Sequence, residues 1–172
     1  MLTTFDSTPS QWIENLALEE LRMDESGIVN FNDHLNTSFF LEESSIQLMD
    51  EIKSLTEFYI EKFNNFRGPT GGQIKLLKIS NTVNDFLLFR NSLRLIFVRK
   101  NIDLITIGFR SATGQIFGPR INEQSAITEG PHEIKAEVGA FNQIIWHFLG
   151  KEIDVEAMTR HYITEFIRSS AR

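Results

Sequence analysis

Between residues 74 and 110 apolar residues recur with a period of two, and they do so on both faces of the extended chain. Four strands are predicted there, at 74–80, 84–90, 93–99 and 102–110. Asn91-Ser92 and Lys100-Asn101 are read as two-residue hairpin turns, because asparagine tolerates positive φ. The first strand joins through Asn81-Thr82-Val83. Pairing across Asn91-Ser92 sets Leu88 opposite Leu95 and Phe86 opposite Phe97; continuing across Lys100-Asn101 sets Phe97 opposite Leu104. One face then carries Phe86, Leu88, Leu93, Leu95, Phe97, Ile102 and Leu104. The other carries Leu87, Phe89, Ile96, Val98, Ile105, Ile107 and Phe109, interrupted by Asp85, Arg94 and Asp103. An antiparallel sheet with one wet face alternates apolar and polar residues. This meander does not, so it needs cover on both sides.

The rest of the chain supplies helices. Trp12, Ile13, Leu16, Ala17 and Leu21 recur at helical spacing, predicting a short amphipathic helix over 11–23. Residues 27–31 and 37–41 read as short strands. Ser44 and Gln47 form a capping-box pattern. Behind it Ile46, Met49, Ile52, Leu55, Tyr59, Phe63 and Phe66 make a long stripe that ends at Arg67-Gly68-Pro69-Thr70-Gly71-Gly72. After the meander, residues 111–131 form a polar connection long enough to be either a functional loop or a hidden extra strand around Gln115, Ile116 and Phe117. Two helices are predicted to close the chain. The first covers 133–149, with Ile134, Val138, Phe141, Ile145 and Phe148 inward and Gly150 as its cap. The second is capped by Asp154 and buries Val155, Met158, Tyr162 and Phe166.

The expected fold is a single α+β domain over 1–172. It comprises an N-terminal helical region over 1–66, a sheet 73–110 built as an antiparallel β-meander of about four strands, a loop 111–131, and C-terminal helices 133–170. The N-terminal and C-terminal helices cover the sheet. No apolar run exceeds four residues, so no membrane-spanning helix is expected. The opening residues Met1-Leu2-Thr3-Thr4-Phe5-Asp6 carry neither a basic nor an apolar segment, and no secretory signal is expected. Cysteine is absent, which excludes thiolate chemistry and disulfides and fits a cytoplasmic setting.

Charge is distributed in blocks. Residues 1–66 carry 13 acids and 3 bases, residues 67–120 carry 9 bases and 2 acids, and residues 121–172 carry 8 acids and 5 bases. Opposite blocks in one domain ordinarily neutralise each other across the fold; the sharper reading is a basic surface that meets an anion. Arg90, Arg94, Arg110 and Arg120 are the candidate anion-binding residues, since guanidinium forks fit carboxylates and phosphates. The glycine-rich loop 68–72 follows a helix and precedes a strand, the reverse of a phosphate-binding loop.

No catalytic constellation is visible. His34, His132, His147 and His161 include no i,i+4 pair, and there is no nucleophile elbow. No catalytic residue, metal ligand or cofactor is assigned, and an enzyme with an unidentified site ranks third among the readings. The aromatic-basic mixture of 84–110 resembles a nucleic-acid-binding sheet only in composition, because the order of elements is not βαββαβ. The function expected first is therefore a non-enzymatic partner-binding or assembly protein, chaperone- or adaptor-like and homodimeric. Its expected interface is the second apolar face, with Phe89, Ile105, Ile107 and Phe109, since the helix 11–23 is too short to cover that face. The alternative is an anion- or nucleic-acid-binding protein using residues 90–120.

Overall fold

In a computed structural model describing residues 10–29, 32–69 and 71–171, the chain separates after Asn36 into two compact units. The described residues of the first unit hold helix α1, Gln11–Ser26, and a 3-10 turn at Asp33–Leu35. Gly27 ends α1 in the left-handed region at φ 70°, and its N–H donates to the Met23 carbonyl at 2.8 Å. No residue of α1 is buried. The strand expected at 27–31 does not form over Gly27, Ile28 and Val29, and Asn30 and Phe31 lie outside the described residues.

In the second unit helix α2 runs over Thr37–Arg67. The strand expected at 37–41 is instead its first turn. Aromatic and β-branched content favours strands locally, but the inward spacing of Ser45, Leu48, Met49, Ile52, Thr56 and Ile60 extends a helix through it. Ser44, read as a cap, lies inside α2, where its hydroxyl accepts from Trp146 Nε1 at 3.0 Å. Phe66, assigned to the buried stripe, is exposed in the last turn.

The strands are β1 Lys75–Lys78, β2 Phe86–Arg90, β3 Leu93–Asn101, β4 Leu104–Arg110, β5 Ile116–Gly118, β6 Thr128–Glu129, β7 His132–Val138, β8 Ile144–Phe148 and β9 Lys151–Glu152. All pairs are antiparallel, in the order β1-β2-β3-β4-β7-β8-β9, with β5 and β6 added beside β4. Helix α3, Val155–Ser170, follows; Asp154 caps it by accepting from the Ala157 N–H at 2.8 Å. The fold is α+β with a large antiparallel sheet, of nine strands among the described residues rather than about four. Among the described residues no helix is long and apolar enough to cross a membrane.

The β2–β3 hairpin forms as its sequence predicts. Asn91 and Ser92 take φ of 48° and 70°, and Phe86 and Leu88 face Phe97 and Leu95. The next hairpin differs. The ladder is irregular between Arg99 and Asn101, the chain turns at Ile102-Asp103, and Phe97 faces Ile107 rather than Leu104. The partner has moved by an odd number of residues, and an odd slip turns every side chain of a strand to the other face. Ile105, Ile107 and Phe109 therefore join Phe86, Leu88, Leu95 and Phe97, and all of these are fully buried. Helices α2 and α3 close that face: Phe97 meets Tyr162 edge-on, and Phe109 stacks on Phe166.

The helix expected at 133–149 is the β7–β8 hairpin. Its apolar positions fit a helical spacing, yet Ile134, Ala136 and Val138 also alternate with Glu133, Lys135 and Glu137. Phe141, which completed the helical stripe, sits in the connecting turn at φ 57° and is exposed. Gly150 is paired with Leu149 in the β8–β9 turn, at φ 78° and 49°, and caps no helix.

Candidate functional site

With α2 and α3 on one face, the opposite face of the sheet is defined by register. Leu77, Leu87 and Ile96 lie in one cross-strand row that ends at Gly108. The neighbouring row is Lys75, Phe89, Arg94 and Arg110. Val98, its ladder partner Thr106, which is buried, and Leu104 complete the β1–β4 half. Leu77 is 48% exposed and Leu87, Phe89, Ile96, Val98 and Leu104 are half-buried, so neighbouring strands shield their flanks while their tips remain in solvent.

The β7–β9 half of this face differs in chemistry. Glu133 pairs with Lys135 at 3.3 Å, and Glu137 meets His147 at 3.4 Å. Glu152 stands opposite His147 in the ladder. One end of the face is thus acidic and largely self-paired, whereas the other carries three cations. Among the described residues no carboxylate lies within 4.0 Å of Lys75, Arg94 or Arg110. Arg94 and Arg110 are directly opposite each other, a destabilising arrangement for like charges. The Arg94 guanidinium is 5.7 Å from the Phe89 ring centroid, where the ring's negative face attracts it.

The four arginines singled out from the sequence are not one cluster. Arg94 and Arg110 are brought together on the open face. Arg90 points to the covered face, 5% exposed, and its Nη1 donates to the Ile167 carbonyl at 3.3 Å and to Ser170 Oγ at 3.4 Å. Arg120 clamps its own loop: Nε donates to the Ser125 carbonyl at 3.1 Å and Nη2 to the Glu123 carbonyl at 2.6 Å. Among the interface candidates, Phe89 is on the open face. Ile105, Ile107 and Phe109 are not, since the β3–β4 register buries them under the helices.

Sequence reasoning passed over a buried polar pair. His132 Nδ1 and the Tyr162 hydroxyl are 2.8 Å apart, with His132 4% and Tyr162 2% exposed. Loss of hydration and the nearby His161 imidazole lower the pKa of His132 below the ordinary histidine value, opposed by a weaker interaction with the Pro119 backbone. Burial raises the pKa of Tyr162. The imidazole lies against Gly118 so closely that even a methyl group there would overlap it, so nothing larger reaches the pair from that side. The pair is packed as a structural element. His147 and His161 are separated by the sheet: His147 is on the open face, and His161 Nε2 bonds the Arg120 carbonyl at 2.7 Å.

No protein-family model matches the chain, and neither a curated protein nor a solved structure matches it.

Proposed function

We propose that this is a non-enzymatic binding protein that docks a partner on the open face of its sheet, acting as a homodimer. The observation that carries the reading is the apolar β1–β4 half of that face, where Leu77, Leu87, Phe89, Ile96 and Val98 adjoin; Asp85 at its end is buried and its carboxylate accepts from the Arg99 N–H at 2.9 Å. A second copy suits it by charge. A two-fold axis lying in the plane of the contact sets Lys75, Arg94 and Arg110 of one copy toward the strands carrying Glu133, Glu137 and Glu152 of the other, and symmetry repeats the contact. The interface is that of the sequence expectation with Phe89 kept and Leu77, Leu87, Ile96 and Val98 in place of the buried residues. The absence of cysteine fits a cytoplasmic setting for such a protein.

Light scattering tests this directly. The reading requires twice the 19.8 kDa chain mass at micromolar concentration. It also requires that Ile96→Asp yield a folded monomer, because an unpaired charge in a closed interface is strongly unfavourable. A wild-type mass of one chain that does not change on concentration overturns it.

A second reading, binding of an anionic polymer such as nucleic acid, draws on the uncompensated row Lys75, Phe89, Arg94 and Arg110. It expects retention on heparin that falls steeply with salt and is lost on joint Arg94→Ala and Arg110→Ala substitution.

A further inference from the structure

The His132 ring is enclosed by three kinds of wall. β7 carries it at the ladder position of Ile107, with the Phe148 ring of β8 5.0 Å away. α3 supplies Tyr162, whose hydroxyl meets Nδ1. The remaining wall is the arm made by β5, β6 and the loop between them. Gly118 of β5 lies against Cδ2 and Nε2 of the imidazole, and the hydroxyl of Thr128, its ladder partner in β6, meets the same point. Nε2 is buried and has no hydrogen-bond partner among the described residues, so the unpartnered edge of the ring is the edge the arm covers.

That arm is the most weakly held wall. β5 pairs with β4 at two positions, Phe117 with Phe109 and Ile116 with Arg110, and β6 pairs with β5 alone. Of residues 111–131 only Gly118 and Pro119 are buried. Its further anchors are the Phe117 ring, 5.5 Å from that of Phe109, and the Arg120 carbonyl, which accepts from His161 Nε2 at 2.7 Å. β4 and β7 have a strand on each side, and α3 sends Tyr162, Ile163 and Phe166 into the core. Segments with few buried contacts open first.

No group present would balance a charge on this ring. Among the described residues no carboxylate lies within 4.0 Å of its nitrogens. α3 turns Tyr162 and His161 toward it. The arm brings Arg120, whose guanidinium is spent on the Ser125 and Glu123 carbonyls; Glu129, one residue past Thr128, alternates to the other side of β6. β4 and β8 contribute Ile107 and Phe148, and the neighbours on β7 itself, Glu133 and Lys135, pair with each other on the open face. Burial and the His161 imidazole accordingly disfavour the cation, outweighing the Pro119 backbone.

We propose that the β5–β6 arm is an acid-released strap: protonation of His132 is accommodated by lifting the arm off the imidazole, which lets water reach Nε2 and parts Phe117 from Phe109. A buried charge without a partner is costly, and moving the arm hydrates it without breaking the long ladders or α3. The strap is closed above about pH 6.5, the ordinary histidine value, and is released as pH falls below it. It lies on the helix-covered side of the sheet and does not depend on what occupies the open face.

The test is hydrogen exchange read by mass spectrometry on the full chain at pH 7.5 and pH 5.5, with the β2–β3 hairpin of the same sample as reference for the intrinsic change in rate. Relative to that hairpin, residues 116–130 are expected to lose protection by about tenfold on acidification. His132→Gln is expected to remove this dependence and His161→Gln to keep it. A nitroxide on Glu129→Cys, the single thiol in a chain that otherwise has none, reads the same event with His132 intact: its mobility is expected to rise as pH falls through the histidine range. Protection unchanged at pH 5.5, loss spread evenly over the whole sheet, a response that survives His132→Gln or follows His161 instead, or a label equally immobile at both pH values would each overturn the proposal.

Discussion

A side chain at residue 118 would have to share the space of the His132 imidazole and the Thr128 hydroxyl. Neither neighbour is free to yield: His132 is held by Tyr162, and Thr128 belongs to β6. Gly118→Ala is therefore expected to cost about 1–3 kcal/mol, the range for overpacking, as read from urea unfolding. A cost near zero would show that the ring can move aside. His132 makes a further residue-scale prediction. Its pKa is lowered in the fold, so below about pH 6.5 the unfolded chain takes up the proton more readily than the native one. Stability is retained above that pH and lost as pH falls toward the native pKa. Denaturant unfolding at pH 7 and pH 5 should record the loss, and His132→Gln should reduce it. The role of His132 was hidden in the sequence because Glu133 beside it resembles the acidic first turn of a helix. Arg120 was legible as a residue type but not in its role, because the carbonyls it clamps carry no signal of their own.

At the scale of elements, legibility tracks how locally each element is determined. The β2–β3 hairpin is closed by its own two residues, and its register could be read from them. α3 was equally plain, since Asp154 and the inward Tyr162 and Phe166 form one continuous helical pattern. The β3–β4 register was not, because a bulge carries no composition signature and displaces the turn toward Ile102-Asp103. The β7–β8 hairpin was lost for a different reason: its apolar positions satisfy helical and strand periods together, and only pairing of β7 with β4 decides between them. Phe97 sits where both predicted and observed registers place it inward, stacked on Phe86 with centroids 4.5 Å apart. Phe97→Ala should cost ~3–5 kcal/mol in urea unfolding. A loss below ~1 kcal/mol would place that ring outside the core.

At the scale of the whole molecule, the basic block of residues 67–120 is divided by the sheet. Arg67 and Arg90 gather on the covered side, and Lys75, Arg94 and Arg110 on the open side. The sequence announced the block but not the division, which follows from strand parity. One consequence concerns the sheet's outer margin. Among the described residues β1 is paired only to β2, so its other side is a strand edge that a neighbouring molecule could extend into a fibril. It is four residues long, and both its first and its last residue are exposed lysines that project to opposite faces. A strand stacking there would bring like charges together on each face, so the margin repels addition from either side. Replacing Lys75 and Lys78 with valine should shorten the lag before thioflavin-positive aggregates form under agitation, with the urea midpoint little changed. An unaltered lag would mean that the shortness of β1, rather than its charge, keeps this margin closed.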